Sequence, residues 1–280
     1  MRLLIGGSST FFFHLKEFSD TLNKLGVESK LVFDADYSDG FPSRKIRNWF
    51  QTRKKFTKLI DEFKPDAIFI DRQRHFGIDA LKANIPLFVL LRGHYWSEIN
   101  WNKKTIYKSL PKRIALSQWD KLGKEIFNGA TAILPICKYL EKITNKFVPG
   151  KSTNVFSEGV DASKWYQVKG MNLKHPCIGL LQRANWWGKT SEMLVLKNVL
   201  EKMPDTHFYW AGDGPLREQV LSELDQYDNF HWLGNLQYPD KVREYLSEID
   251  VYTLITGMDL ASLTLKEAQL MKKPVVATNV

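Results

Sequence analysis

Two basic side chains stand six residues apart in a segment that could bind a diphosphate. Arg183 and Lys189 lie in LLQRANWWGKTSEM, where an apolar run gives way to a helical pattern. Arginine offers a fork of donors and lysine a point charge, so the pair can neutralise one diphosphate at a strand-to-helix turn. A solvated pair of surface charges is the alternative. The Walker A pattern GxxxxGK[ST] is not met, because Arg183 stands where it requires glycine.

Two carboxylates further along the chain could bind sugar hydroxyls. Asp259 and Glu267 are eight residues apart, which is a little over two helical turns, so both can face one side of a helix. Backbone N–H groups at the start of that helix, including those of Gly257, Leu263 and Thr264, can hold an anionic group. A solvated acidic face is the alternative.

Glycines follow two of the apolar runs. Gly6-Gly7 comes after LLI, and Gly212-Asp213-Gly214-Pro215 comes after HFYWA. Missing side chains allow phosphates to approach backbone N–H groups at a helix start, and a plain strand-to-helix turn is the alternative. The dinucleotide fingerprint GxGxxG is not met by GGSSTF, so NAD is not expected.

A histidine and two tryptophans complete the set of candidate residues. Arg92-Gly93-His94 follows an apolar run, and the glycine permits a turn that presents His94, which can serve as acid, base or donor to a phosphate. A hydrogen-bonded structural histidine is the alternative. Trp186 and Trp187 lie between the two cations and belong either to the core or to a wall for a sugar.

The elements that must position these residues alternate between short apolar strands and helices. Strands are predicted in a first series at 3–5, 30–33, 67–70, 87–91, 131–136 and 154–156, and in a second at 177–181, 207–211, 230–233, 251–255 and 274–277. Helices are predicted at 11–25, 44–63, 76–83, 112–127, from 138, and at 191–202, 216–224, 239–247 and 260–271. Apolar strands separated by helices predict parallel sheets covered on both faces.

A polar segment before residue 177 separates the two series of predicted strands and helices. It carries Gly170 and Pro176, so we predict a first Rossmann-like domain at 1–168, a linker at 169–176 and a second Rossmann-like domain at 177–280. Ligands bind at the carboxyl ends of parallel strands, so the expected site is a cleft between two facing sheets.

Composition narrows the class of partner. The chain of 280 residues is 44% hydrophobic, which excludes disorder, and its net charge of +9 favours an anionic partner. The basic residues are spread out, so no nucleic acid is expected. The segment RKIRNWFQTRKK interleaves cations with Trp49 and Phe50 and indicates peripheral contact with an anionic membrane, with a solvated basic helix as the alternative.

Cysteine usage and hydropathy indicate a cytoplasmic protein. Cys137 and Cys177 are far apart, without a CxxC pattern, so neither a disulfide framework nor a zinc site is expected. Gly6 to Ser9 interrupts the apolar N-terminus before a signal-peptide core can form. No apolar run reaches the about 18 residues that a membrane-spanning helix needs.

Together these residues resemble the retaining GT-B glycosyltransferases of family four, also called glycosyl transferases group 1, over essentially the whole chain. Arg183 and Lys189 match the donor-phosphate pair of the family, Asp259 to Glu267 match its E-x7-E motif, and Gly212 to Pro215 match its G-x-G-P turn. The weaker matches are Pro274–Thr278 to PVVAT, Glu158–Asp161 to N-G-V-D, the glycine loop at Gly6-Gly7, and His94.

The resemblance implies an α/β chain with the GT-B fold and a hexosyltransferase that retains anomeric configuration. Glu267 would bind the donor ribose, Asp259 the transferred sugar, and Arg183 and Lys189 the diphosphate, with His94 beside the sugar or phosphate. The implied partners are a nucleotide-sugar donor and a glycan or lipid-linked acceptor. Neither a metal nor a cofactor is implied, because pre-placed cations can stabilise the charge on the leaving phosphate.

The sequence departs from the family pattern at three places. Asp259 replaces the first glutamate of the motif, Glu158 stands where asparagine is usual, and the text ends at Val280 where family members continue. We therefore expect a C-terminally short form. A non-catalytic nucleotide-sugar-binding protein is the alternative function.

Overall fold

The computed structural model describes residues 1–8, 12–43, 46–50, 52–257 and 260–279. The chain divides into two compact units, Met1–Ser157 and Glu158–Val280. Each unit contains one five-stranded sheet, and every strand pair in both sheets is parallel. The prediction of two parallel-sheet α/β units is confirmed.

In the first unit the strand order is β2-β1-β3-β4-β5. The strands are β1 Arg2–Gly7, β2 Glu28–Phe33, β3 Ala67–Ile70, β4 Leu87–Leu91 and β5 Ala132–Pro135. The helices are α1 Phe12–Lys24, α2 Asp34–Tyr37, α3 Lys54–Phe63, α4 His75–Lys82, α5 Tyr95–Thr105, α6 Leu110–Gly129 and α7 Lys138–Phe147, with a 3-10 turn at Ile46–Phe50. All four residues of β3 are buried, as expected for a strand covered on both faces.

In the second unit the strand order is β10-β9-β6-β7-β8. The strands are β6 Cys177–Leu181, β7 His207–Ala211, β8 Phe230–Gly234, β9 Val251–Leu254 and β10 Val275–Ala277. The helices are α8 Trp187–Glu192, α9 Leu196–Lys202, α10 Arg217–Leu224, α11 Asp240–Glu248 and α12 Leu263–Leu270, with 3-10 turns at Ala162–Lys164 and Met193–Val195.

The side chains of β7 show how this second sheet is covered. Successive side chains of a strand point to opposite faces. Tyr209 and Ala211 belong to one buried cluster, with residues of α11 and α12. Phe208 and Trp210 belong to another, with residues of α9 and α10. Helices therefore cover both faces, and the loops at the strand ends are the parts left to bind a ligand.

The division of the chain differs from the predicted boundary at 168. The second unit begins at Glu158, and the polar text before β6 packs onto it. Trp165 is buried in the cluster that contains α11 and α12, Gln167 Nε2 donates to the Met271 carbonyl, and the Val168 N–H donates to Ser247 Oγ. Polar composition suggested a linker, but these hydrogen bonds fix the segment to the sheet's own helices.

The first unit differs from the prediction in one strand and one helix. Residues 154–156 form no named strand: a single parallel bridge joins Ile133 to Thr153, and beyond it the Asn154 and Phe156 N–H groups donate to the Ile133 and Pro135 carbonyls of β5. Helix α5, in contrast, was not predicted. It has no buried residue, so its sequence carries no apolar period for pattern analysis to detect.

Within the described ranges, none of the helices combines the length and the apolar content that crossing a membrane requires.

Candidate functional site

The loops at the carboxyl edge of the second sheet are joined to one another by main-chain hydrogen bonds. The Gln182 N–H donates to the Ala211 carbonyl over 3.1 Å, the Ala184 N–H to the Asp213 carbonyl over 3.1 Å, and the Gly212 N–H to the Gly234 carbonyl over 2.8 Å. The connections after β6, β7 and β8 are thus fixed relative to each other by backbone alone.

The two glycines after β7 are required by this close packing. A Cβ at Gly212 would overlap the Gln182 carbonyl, and a Cβ at Gly214 would overlap the Ala184 carbonyl. Both glycines therefore permit one turn of the protein to lie against another. That they also contact a donor stays a prediction.

The two predicted phosphate-binding cations lie between the end of β6 and the first turn of α8. Arg183 is exposed and stands between two buried residues, and within the described part of the chain it makes no hydrogen bond or ion pair. Lys189 lies in α8 and is half-buried, and its carbonyl accepts from Gln182 Nε2 over 3.2 Å. Trp186 and Trp187, at the start of α8, are also half-buried. The structure therefore places Arg183 in the loop before α8 and Lys189 in the first turn of that helix.

Glu267, a predicted site residue, is a buried carboxylate. It lies in the second turn of α12 with only 2% of its surface exposed. The Tyr238 hydroxyl, from the loop after β8, donates to Glu267 Oε1 over 3.1 Å. Tyr238 was not among the predicted site residues. A buried carboxylate that is held by a neighbouring hydroxyl has a fixed orientation, as recognition of a sugar diol requires.

The beginning of α12 is organised by hydroxyl groups. Thr264 Oγ1 lies 2.6 Å from the Tyr252 hydroxyl and 2.8 Å from Ser262 Oγ, and Leu263 is the first helical residue. Asp259, predicted to contact the transferred sugar, lies outside the described residues.

A carboxylate that the sequence did not indicate contacts the loop before α12. The Gly257 N–H, predicted to face the donor, donates to Glu192 Oε2 over 2.9 Å. Glu192 is the last residue of α8, so this bond ties the loop after β9 to the helix that carries Lys189. In this structure that N–H group therefore donates its hydrogen bond to a protein carboxylate.

In the first unit, Gly6 and Gly7 are strand residues rather than a turn. β1 runs through Gly7, two residues beyond the predicted end. A Cβ at Gly6 would lie 2.8 Å from the Phe76 ring, and one at Gly7 would lie 2.6 Å from Leu15 Cδ1. These glycines make room for side chains of α4 and α1, and that they contact a donor remains a prediction.

His94 caps helix α5 at its amino terminus. Its Nδ1 accepts from the Ser97 N–H over 3.1 Å. With Nδ1 as the acceptor, the neutral ring carries its proton on Nε2 and offers a donor there. His94 therefore has a structural role as the cap of α5, and its Nε2–H is also a donor suited to a phosphate or sugar oxygen.

A buried polar cluster joins the carboxyl ends of three strands of the first sheet. Asp71, directly after β3, accepts from the Ser8 N–H over 3.1 Å and from Ser8 Oγ over 3.0 Å. Arg92, directly after β4, lies 3.4 Å from the same carboxylate. All three residues follow apolar runs in the sequence, which indicates a position at strand ends, but their contact with one another was not predicted. The cluster fixes the segment that leads into His94.

Glu98, in the first turn of α5, carries a perturbed carboxyl group. Burial raises its pKa from 4.5 to about 7, and the nearby Arg72 opposes part of that rise. A Cβ at Gly93 would overlap Glu98 Oε1, so the glycine before His94 makes room for this carboxyl group. A group that titrates near neutral pH therefore lies four residues after His94, about one helical turn away.

Replacing Glu98 with glutamine is expected to flatten the pH dependence of stability. The pKa of Glu98 is about 7 when folded, above its ordinary 4.5, so the stability that it contributes is complete below pH 4.5 and is lost as the pH rises through 7. At pH 8 the variant should be more stable by about 1 to 2 kcal/mol, a value reduced for partial exposure. Urea unfolding at acidic and alkaline pH measures this, and equal slopes for both proteins would contradict the assignment.

The family model of glycosyl transferases group 1 matches residues 177–280. No curated protein matches the sequence. The match covers the second unit from β6 onward, including the connection with Arg183 and Lys189, the glycine turn after β7, and α12 with Glu267.

Solved structures are similar over most of the chain at low identity. A sucrose-phosphate synthase from Thermosynechococcus elongatus has a TM-score of 0.70 at 12% identity, over 99% of this chain and 80% of its own. Anabaena HepE, in complex with UDP and glucose, has a TM-score of 0.64 at 14% identity, with the same coverage. S. aureus TarM, in complex with fondaparinux, alpha-GlcNAc-glycerol and UDP, has a TM-score of 0.56 at 13% identity, over 80% of this chain and 44% of its own. This chain thus spans less than half of TarM.

At these identities the similarity establishes the fold. The chain has two Rossmann-like parallel-sheet units of the GT-B type. The predicted GT-B fold is confirmed, and so is the predicted resemblance to glycosyl transferases group 1, which residues 177–280 carry.

Proposed function

We propose that this chain, a GT-B protein whose residues 177–280 match glycosyl transferases group 1, is a glycosyltransferase that moves a sugar from a nucleotide-diphosphate donor to an acceptor hydroxyl. The observation that carries the proposal is the state of Glu267: buried, oriented by Tyr238, and placed in the helix that follows β9. A carboxylate fixed at the carboxyl edge of a parallel sheet suits the two hydroxyls of a ribose.

The donor diphosphate is proposed to lie at the β6–α8 connection. Arg183 is exposed there, and Lys189 follows in the first turn of α8. As the anomeric bond breaks, negative charge develops on the β-phosphate oxygen, and cations placed beforehand stabilise it without reorganisation. The N–H groups of Leu263 and Thr264 add positive potential at the start of α12. This donor set acts by positive charge and hydrogen bonding, and we propose that the reaction needs no metal ion.

The transferred group is proposed to be a hexose, with retention of configuration at the anomeric carbon. In a front-side reaction the bond to the diphosphate breaks and the bond to the acceptor oxygen forms on the same face. The acceptor proton then passes to the departing phosphate oxygen, so no protein nucleophile is needed. Asp259 would contact the sugar, and the Nε2–H of His94 would donate to a sugar or phosphate oxygen.

Nucleotide binding tests the donor site directly. Calorimetry with UDP, GDP and ADP should identify one nucleotide that binds the wild type, and Glu267→Ala should weaken it by about 10-fold or more, because a bidentate contact to the ribose is lost. Glu267→Gln preserves the size of the side chain and the acceptor for Tyr238, so it separates a binding loss from misfolding.

Glu201→Ala is the matched control for the binding experiment. Glu201 also accepts from a tyrosine hydroxyl, that of Tyr227, over 2.8 Å, but it is exposed on α9. This variant should bind the nucleotide like the wild type. If Glu267→Ala and Glu201→Ala behave alike, or if no nucleotide binds, the proposed donor site is wrong.

The acceptor is proposed to be a glycan or a lipid-linked glycan at an anionic membrane surface. Ile46 and Phe50 are 67% and 81% exposed beside Arg47, and Leu110 and Ile114 are 72% and 52% exposed on α6, where Lys112 and Arg113 lie between them. Exposed apolar groups among cations suit an interface of anionic headgroups.

Vesicle binding tests this surface. The chain should sediment with phosphatidylglycerol vesicles at low salt and be released as salt rises, because screening weakens the attraction. Phe50→Ser combined with Ile46→Ser should reduce binding by about 10-fold, since two apolar contacts are removed. Absence of binding at low salt would contradict membrane contact while leaving the donor site untouched.

A further inference from the structure

Three side chains with zinc-ligand chemistry meet at the amino edge of the second sheet, at the opposite end of the strands from the proposed donor site. Cys177 is the first residue of β6, Asp250 directly precedes β9, and His175 lies two residues before β6. His175 Nδ1 lies 2.9 Å from Asp250 Oδ2 and 3.6 Å from Cys177 Sγ. The three ligand atoms all lie within 4.8 Å of one another.

We infer that His175, Cys177 and Asp250 bind one Zn²⁺ ion. Zinc prefers a tetrahedron of nitrogen, sulfur and oxygen ligands, with bonds of about 2.0 to 2.3 Å, so neighbouring ligand atoms stand about 3.2 to 3.6 Å apart. The separations around His175 Nδ1 are close to that geometry, and small side-chain rotations complete it. Water takes the fourth position. This site is independent of the proposed glycosyl transfer, and it revises the expectation, drawn from cysteine spacing, that no zinc site is present.

The other ring nitrogen of His175 is already oriented as in zinc proteins. Its Nε2 lies 3.0 Å from Glu248 Oε1. A ligating histidine almost always donates its second N–H to a carboxylate or carbonyl, which fixes the tautomer and increases the basicity of the ligating nitrogen. Glu248, the last residue of α11, therefore positions Nδ1 toward Cys177 and Asp250.

Cys177 has no other evident chemistry in this position. It is fully buried, so the thiol is not accessible for nucleophilic or oxidative chemistry. Zinc binding releases the thiol proton, since the thiolate is the ligand. His175 and Asp250 are both partly exposed, which gives the ion a route to the site. The bound ion would join the segment before β6 to the turn between α11 and β9.

Cobalt substitution tests the site in the full chain. After treatment with a chelator and desalting, Co²⁺ should produce a thiolate-to-cobalt absorption band and intense tetrahedral d–d bands, and one equivalent of Zn²⁺ should abolish both. Cys177→Ser should lose the thiolate band. Glu248→Gln should keep the band but bind zinc about 10- to 100-fold more weakly, as outer-shell changes do.

The second free cysteine supplies the control. Cys137 lies in the first unit, so Cys137→Ser should retain the thiolate band. If Cys177→Ser does not fold, Asp250→Asn answers the same question, because the amide oxygen can still accept from the Cys177 N–H while binding metal more weakly. The inference is overturned if the wild type shows no thiolate band, if Cys137→Ser abolishes it, or if His175→Gln binds zinc as tightly as the wild type. In those cases His175 serves only to bridge Glu248 and Asp250.

Discussion

Replacing Arg183 with alanine is expected to lower kcat for donor turnover by about 100- to 1,000-fold, the usual cost of removing one group that stabilises charge in a transition state. Arg183 is exposed and makes no ion pair within the described residues, so its loss should leave folding unchanged. Arg183→Lys should restore part of the rate, because it keeps the charge without the fork of donors. Steady-state kinetics on the identified nucleotide sugar, beside thermal unfolding, measures both effects.

Lys202→Ala is the control for this prediction. Lys202 is also an exposed cation of the second unit, at the end of α9, and its removal should not change kcat. Equal effects of the two variants would indicate a general effect of positive charge on the second unit rather than a contact with the leaving group. A wild type that binds donor without any turnover would support the non-catalytic alternative.

Replacing Gly212 with alanine is expected to reduce the free energy of unfolding of the second unit by about 3 kcal/mol or more. The new Cβ would overlap the Gln182 carbonyl, and that carbonyl cannot move freely, since it accepts from Trp210 Nε1 over 2.8 Å. Trp210 is itself fully buried. The turn after β7 and the loop after β6 must therefore separate, and urea unfolding followed by tryptophan fluorescence should report it.

Gly159→Ala provides the comparison. A Cβ at Gly159 would meet nothing within 4 Å, so this substitution in the same unit should change stability by no more than about 0.5 kcal/mol. If Gly212→Ala is as stable as Gly159→Ala, the packing of the two loops is looser than the structure indicates.

Sequence analysis predicted the helices and strands whose apolar residues follow a regular period and are buried. It missed those that have no such pattern. All five strands of the second sheet were predicted to within one residue or two, because apolar runs such as CIGLL and VYTL are covered on both faces. Helix α5 was missed for the opposite reason. The strand predicted at 154–156 is reduced to a segment that lies beside β5, with one bridge and two main-chain hydrogen bonds.

Features of the site that depend on the spacing of residues along the chain were predictable from the sequence. Features that depend on contacts between residues far apart in the sequence were not. Arg183 and Lys189 lie on either side of the start of α8 because they are six residues apart. Tyr238 reaches Glu267 across 29 residues, and Glu192 reaches Gly257 across 65. Such pairs can be recognised only when the strand order is known, so the spacing of residues in the sequence could not indicate them. The same limit concealed His175 and Asp250, which are 75 residues apart.

The main-chain hydrogen bonds among the loops of the second sheet bear on how such a protein can diverge. Because the Gln182, Ala184 and Gly212 amides and their carbonyl partners fix these loops, the shape of the edge depends little on which side chains project from it. Substitutions at exposed positions such as Arg183 and Asn185 can therefore accumulate without loss of folding. A lineage could change its donor or acceptor in few mutational steps, which agrees with a fold retained at 12% to 14% identity.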